Sequence, residues 1–423
     1  METLLLLGIS AFVTTVLLLI LFNIRTREAI ERYFVKPTYT VGDEAFTRSM
    51  SGVLSADFCG GNSIQTLVDG EQIFTAMIEE IKKAQVSINL ESFVCSSGRV
   101  CSSFTAALSE RAKAGIPVHV ILDWMGSTDL HDDHYRCMKE AGIHVIKYRK
   151  PHWYTLPRLN NRSHRKILVV DGKVGFTGGA GIADQWLHDV DGMLAWRDVH
   201  YRFEGPIVAK MQAAFMENWL KSHARVLEGE AYFPTLVPKG EISGQLFTSS
   251  ADGIEAVRLM FLLAIASAKK SIRILNAYFV PDLSLSRALI HAATRRGVKV
   301  EIVVPGDKTD QRLVQEVSRS SWAKLLQAGV SIYEYQPTMH HGKIFIVDDE
   351  FVSIGSANCD GRSFRINDEM NVNVLDKKFA AQQVKVFEED KKNSRLVTYK
   401  QWKRRPLWRK VIGHCGRLIQ GQF

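Results

Sequence analysis

The segments HRKILVVDGKVGFTGG (164–179) and HGKIFIVDDEFVSIGS (341–356) carry one pattern twice. Each opens on His-x-Lys, runs through four consecutive apolar residues to an Asp, and ends in glycine-containing sequence. A short apolar run bounded by turn residues reads as a buried strand. Outward from these segments the repeat continues. IKKAQVSINLESFV (81–94) matches IASAKKSIRILNAYFV (265–280), and ALSERAKAGIPVHVILD (107–123) matches LIHAATRRGVKVEIVVP (289–305). AGIHVIKY (141–148) matches AGVSIYEY (328–335). Four blocks in one order, at offsets of 177 to 187 residues, mark an internal duplication.

Within each copy, amphipathic helical segments feed β-branched strands. Gly115 and Gly297 stand at equivalent positions as helix C-caps. The alternation predicts an α/β fold of two pseudo-symmetric domains, each with a largely parallel sheet. The predicted divisions are an anchor and basic flank at 1–36, a first domain at 37–240, a second at 241–390, and a basic tail at 391–423. The motif strands KILVVD and KIFIVD are expected to flank the seam between the domains, where equivalent residues of a duplicate converge on a shared site.

A chain of 423 residues needs more than one compact core. Its 46% hydrophobic and 23% charged residues exclude a disordered chain and a polytopic membrane protein. Six cysteines, none in a CxxC pair, give no disulfide framework and no zinc site. Cys95 and Cys101 are read as free thiols of a cytoplasmic body. The cluster His131-Asp132-Asp133-His134 is read as an exposed turn rather than a metal site.

The net charge of +9 is not spread evenly. Residues 391–423 hold five lysines and five arginines and no acid, so the rest of the chain sums to about −1. Such a tail suits anionic lipid headgroups or nucleic acid. At the other end, Thr3 to Ile24 carries no charge. As a helix, 22 residues span roughly 33 Å, enough for a bilayer core. Glu2 precedes the run, and Arg25, Arg27, Arg32 and Lys36 follow it, which favours a retained anchor with the body on the cytoplasmic side. With Trp402 and Trp408 in the tail, both ends point to a membrane surface rather than free nucleic acid.

The chemistry lies in His164, Lys166 and Asp171 of the first copy and His341, Lys343 and Asp348 of the second. Residues two apart on a strand share a face, so each His and Lys point the same way. One satisfied core histidine would explain a single case, but not the same pair at the same spacing twice. Two lysines supply positive charge for phosphate oxygens. One neutral imidazole can attack phosphorus while the other, protonated, hands its proton to the leaving alkoxide. This covalent catalysis calls for no metal or other cofactor. The aspartates end strands and are expected to fix strand–loop geometry rather than take part in bond-making.

The duplicated H-x-K-x4-D-x6-G-S-x-N pattern resembles the phospholipase D superfamily, over most of the chain from about Gly61. GNSIQTLVDGEQIF (61–74), NLESFV, ILDWMGS, GIADQWL, WRDVHYRFEGP (196–206) and GSANCDGRSFRINDE (355–369) look like bacterial cardiolipin synthases. The resemblance implies a membrane-associated phosphatidyltransferase of the bacterial inner membrane. It would join two phosphatidylglycerol molecules into cardiolipin and release glycerol through a phosphohistidine. It further implies one motif histidine as nucleophile, for which we take His164, and the other, His341, as general acid. Lys166, Lys343, Gly178, Gly179, Gly355, Ser356 and Asn358 would hold the phosphate. A carboxylate some thirty positions past each histidine would orient a ring nitrogen: Glu369 lies 28 past His341, and Asp198 lies 34 past His164. An alternative for Asp198 is a surface ion pair with Arg197. The first copy departs from the pattern, reading Gly178-Gly179-Ala180-Gly181, so it lacks the Ser and Asn donors. Backbone N–H groups of that turn could replace them. The alternative within the superfamily is a phosphodiesterase or nuclease that uses the basic tail. The expected partners are phospholipids and an anionic membrane surface, with no nucleic acid and no protein partner.

Overall fold

A computed structural model describes residues 6–8, 10–15, 35–151, 160–187, 194–223, 225–251 and 253–417. Most of the expected anchor, Thr3 to Ile24, lies outside the described residues. Among the described residues, no helix is long and apolar enough to cross a membrane.

Fifteen strands form one continuous sheet. They are β1 (Cys59–Val68), β2 (Ile88–Ser92), β3 (Val118–Asp123), β4 (His144–Tyr148), β5 (Ile167–Val170), β6 (Val174–Gly178), β7 (Val199–Glu204), β8 (Ile242–Ser249), β9 (Ser271–Asn276), β10 (Lys299–Pro305), β11 (Ser331–Tyr335), β12 (Lys343–Val347), β13 (Phe351–Gly355), β14 (Glu369–Leu375) and β15 (Ser394–Val397). The order β15-β11-β10-β9-β12-β13-β14-β8-β1-β7-β6-β5-β2-β3-β4 reads the same from its centre outward, apart from the added edge strand. The duplication in sequence is therefore a pseudo-two-fold in space.

Two expectations need correction. Parallel pairing is confined to β2-β3-β4 and β9-β10-β11, where helices cross over. The motif strands instead turn back through tight hairpins, β5 to β6 and β12 to β13, so the sheet is mixed and mostly antiparallel. A two- or three-residue turn can join only antiparallel neighbours. Nor do the motif strands flank the seam. The central pair is β1 with β8, knitted by buried Asn62, whose amide donates to Cys59 O (2.7 Å) and Ile242 O (3.1 Å) and accepts from Ile207 N (2.8 Å).

Helices 69–83, 99–113 and 132–140 cover the outer face of the first half, and helices 44–54, 256–267, 283–296 and 312–327 that of the second. A third core joins the halves. Ile167 and Val199 meet Ile344 and Met370 there, with Phe215 and Phe379 from helices 207–222 and 377–392. Gly115 (φ 88°) and Gly297 (φ 67°) end their helices in the left-handed region, as their spacing predicts.

The basic tail is built into the second half. Its expected start at 391 falls in the last turn of helix 377–392, and β15 pairs antiparallel with β11. Helix 407–416 lies close on helix 312–327, where Gly413 and Gly416 leave room for Glu316 and Val317. Buried Glu334 takes both Arg319 (2.7 Å) and Arg395 (2.6 Å), and Trp402 Nε1 donates to Arg319 O (2.6 Å).

Candidate active site

The two motif segments come together through the loops ahead of the strands. Two short parallel bridges, Ser163 with Asp368 and Arg197 with His340, lock each motif segment to the other half. His164 N donates to Asp368 O (2.9 Å), and His341 N donates to Arg197 O (2.7 Å). Each histidine therefore sits beside the carboxylate-bearing segment of the opposite copy. His164 Nδ1 lies 3.1 Å from both oxygens of Glu369, and His341 Nδ1 lies 3.0 Å from Asp198 Oδ2. The pairing inferred from spacing, Glu369 with His341 and Asp198 with His164, is crossed in the structure. Asp198 is also no surface partner of Arg197. It is fully buried, while Arg197 pairs with Asp390 (2.7 Å) and Asp69 (2.8 Å).

The motif residues divide into two sets. His164, Lys166, His341 and Asn358 line a cleft of about 410 Å³ between the halves. Lys343 reaches the same place, 3.1 and 3.4 Å from the ring nitrogens of His341 and bonded to its carbonyl. Lys166 Nζ donates to His164 O (2.7 Å). Asn358 Oδ1 is buried without a hydrogen-bond partner among the described residues. Asp171 and Asp348, by contrast, serve the sheet. Asp171 accepts the amides of Gln85, Val86 and Ser87 at 2.7–3.1 Å, and Asp348 those of Lys269, Lys270 and Ser271 at 2.7–2.9 Å. Both take positive φ (54° and 55°), which Asp tolerates in a tight turn.

Most residues of the glycine-rich segments lie outside the lining of the cleft. Gly179 N already bonds Val199 O (3.2 Å), and neither Gly178, Gly179 nor Gly355 lines the cleft. They are glycines because neighbours approach closely: a Cβ on Gly355 would stand 2.3 Å from Met370 O, and one on Gly178 2.6 Å from Val199 O. Ser356 turns its hydroxyl to Glu369 Oε2 (2.5 Å), so it positions the carboxylate that faces His164. In the first half the same task falls to Trp186, which sequence reasoning did not single out. Its indole Nε1 donates to Asp198 Oδ2 (2.9 Å), and its ring packs on His341 at 5.6 Å. A Cβ at Gly179 would lie 2.1 Å from Asp198 Oδ1, and one at Gly181 2.6 Å from Val94 Cβ. The space of the missing Ser and Asn side chains is thus taken by Asp198 at Gly179 and by Val94 at Gly181. The signal was the loss of both side chains at once, followed by a Trp five residues on.

Burial sets the electrostatics. It holds both histidines down to about 4, and Lys343 beside His341 and Lys166 beside His164 act in the same direction. The imidazoles are neutral at rest. Their partners stay ionised against burial: His164 and Lys166 hold Glu369 down to about 2, and His341 and Lys343 hold Asp198 below its ordinary range. Burial brings Lys166 to about 7, helped by Lys343, and Lys343 to about 8. Among the described residues no cluster of His, Cys, Asp or Glu could hold a metal ion, and His131 to His134 open an exposed helix rather than form a turn. Cys95 and Cys101 are free thiols with their sulfurs 3.8 Å apart.

Residues 77–219 and 261–391 match the family described as cardiolipin synthase, PLD-like domain. The chain is 34% identical over 368 residues to the major cardiolipin synthase of Bacillus subtilis (strain 168), covering 86% of this chain and 76% of that protein. It is 32% identical to the minor cardiolipin synthase of the same organism, covering 85% and 88%. A phosphatidylserine synthase from Haemophilus influenzae Rd KW20 has the same fold, with a TM-score of 0.69 at 14% identity over 90% of this chain and all of that one. With a duplicated His-x-Lys motif meeting in one cleft and matches of this extent, the chain belongs to the cardiolipin synthase branch of the phospholipase D superfamily.

Proposed function

We propose that this chain is a phosphatidyltransferase that makes cardiolipin from two molecules of phosphatidylglycerol. The observation that carries the reading is the pair of buried histidines, each with Nδ1 held by a carboxylate of the opposite half, beside two lysines of lowered proton affinity. His164 donates Nδ1–H to Glu369 and keeps the lone pair on Nε2. Lys343 Nζ lies 3.1 Å from Nδ1 and 3.4 Å from Nε2 of His341, whereas Lys166 contacts only the carbonyl of His164, and we take His164 as the nucleophile. Arrival of a phosphodiester anion draws the lysines onto its oxygens and places negative charge beside His341, raising its affinity for a proton.

In the first step His164 Nε2 attacks phosphorus. The bond to the glycerol headgroup breaks, and protonated His341 gives that oxygen its proton as glycerol departs. In the second step neutral His341 removes the proton from a terminal hydroxyl of another phosphatidylglycerol. That oxygen attacks phosphorus, the P–N bond breaks, and cardiolipin leaves with His341 protonated again. Asn358, with its free carbonyl oxygen and its amide at the cleft, holds the substrate. The cleft admits the phosphodiester and its glycerol groups, while the acyl chains stay outside.

Membrane attachment follows from three features. The uncharged stretch Thr3–Ile24 is long enough to anchor the chain, and its basic flank places the body on the cytoplasmic side. Helix 407–416 exposes Leu407 (77%), Trp408 (59%) and Val411 (60%) beside Lys410, an apolar stripe with basic flanks that suits a bilayer interface. The helix it packs on, 312–327, carries Val314 in its first turn, where it lines the cleft. The test is incubation of the full-length enzyme with defined lipids and mass spectrometry of the products. Cardiolipin and glycerol in equal amounts are expected. Phosphatidic acid as the main product would make the enzyme a hydrolase instead.

A further inference from the structure

A second cavity, of about 440 Å³, lies away from the catalytic cleft and shares no lining residue with it. Helices 256–267 and 283–296 form its walls through Leu262, Ala266 and Ala288, and Val35 and Pro37 close one side. The interior is thus largely apolar. At the rim stand Lys36, Arg287 and His291, none with an ion-pair or hydrogen-bond partner among the described residues. No lining residue is acidic, and helix 283–296 contains no Asp or Glu. Leu283, Arg287, His291 and Arg295 follow at intervals of four on that helix, one exposed stripe with an apolar start and basic continuation. Helix 69–83, by comparison, carries both signs, with Asp69, Glu71, Lys82 and Lys83.

We infer that this cavity is a binding site for a phospholipid with an anionic headgroup, separate from the site of reaction. Lys36, Arg287 and His291 would take the phosphate, and the apolar interior would take the first part of an acyl chain. Two observations select a lipid over a soluble anion. A free phosphate has no use for apolar walls of this extent. The cavity also adjoins the chain eleven residues after the uncharged stretch ends at Ile24. Eleven residues reach at most about 40 Å, so a bilayer holding that stretch lies within range of the cavity mouth. The inference rests on the membrane attachment proposed above, but not on which reaction the cleft performs.

The test uses full-length enzyme in neutral detergent micelles, with His341→Ala as a background to prevent turnover. Phosphatidylglycerol is titrated in and bound lipids are counted by native mass spectrometry. Arg287→Glu with His291→Glu reverses the charge at the rim, and Ala288→Phe fills the cavity. Each is expected to retain one lipid fewer than the background enzyme, with at least a tenfold rise in that lipid's dissociation constant and an unchanged unfolding midpoint. Phosphatidylcholine should not occupy the position. Equal lipid counts in the background enzyme and both variants would overturn the proposal. So would displacement of the lipid by an equal concentration of inorganic phosphate, which would mark a free-anion site.

Discussion

Glu369→Gln keeps the shape of the side chain and removes the charge facing His164, 205 positions away in sequence. The imidazole then loses the charged partner that fixes its tautomer and steadies the imidazolium formed when Nε2 bonds phosphorus, and kcat should fall at least about 100-fold. Asp198→Asn should do the same through His341. If His164 is the nucleophile, quenched enzyme and labelled phosphatidylglycerol yield an acid-labile phosphopeptide around His164, and Glu369→Gln slows its appearance. Label around His341 alone would reverse the assignment of the two roles. Trp186→Phe keeps the ring against His341 and deletes the N–H to Asp198. A loss of about tenfold, roughly 1.4 kcal/mol in barrier, is expected without loss of fold. Gly179→Ser installs the hydroxyl that the motif elsewhere carries, yet it should inactivate, because the new Cβ would stand 2.1 Å from Asp198 Oδ1. Full activity in that variant would disprove the account given for Trp186.

At the scale of elements, Asp171 and Asp348 are the joints that hold the motif hairpins to the strands beside them. Asp171→Ala strands three amides and puts Ala at positive φ, and a loss of about 2–4 kcal/mol is expected. Enzyme that remains folded should keep turnover within tenfold, which separates these aspartates from His164 and His341. The tail is a second such case. Composition alone makes 391–423 a basic patch, but β15 and helix 407–416 are parts of the second half. Ending the chain at Asn393 leaves Glu334 without Arg395 and bares the face of helix 312–327. The midpoint of thermal unfolding should drop at low and high salt alike. A truncated protein of unchanged midpoint, with only its vesicle binding reduced, would return the tail to a purely electrostatic role.

For the molecule as a whole, the buried site makes activity and stability respond oppositely to alkaline pH. Lys166 and Lys343 titrate near 7 and 8 folded but near 10.5 unfolded, so between those values the unfolded chain binds more protons and stability rises with pH. Over the same range the charges for phosphate are lost, and kcat/KM should fall. On the acid side His164 and His341 titrate near 4 folded against 6.5 unfolded, and Glu369 near 2 against 4.5. Stability is present above these unfolded values and is lost as pH falls from about 6.5 towards 2. A pH–rate profile and unfolding midpoints on the same samples check both limbs. Turnover should also survive EDTA, because Lys166 and Lys343 supply the positive charge at the phosphate.

Much of this was written in the sequence. Apolar runs of period-specific length placed β2, β3, β5 and their counterparts, glycines at 115 and 297 ended the expected helices, and the repeated His-x-Lys named the cleft. These are local properties, decided by backbone geometry and by which face of a strand or helix avoids water. Counting along the chain could not decide which carboxylate serves which histidine. Spacing couples Glu369 to His341, but the halves interlock through Ser163–Asp368 and Arg197–His340, so each histidine meets the carboxylate of the other copy. The same holds for Trp186, which reaches Asp198 where Gly179, with no side chain, leaves the carboxylate its space. A burial-driven site is built from groups brought together across the pseudo-two-fold axis. Their charges and hydrogen bonds depend on distances that only the packed tertiary structure sets.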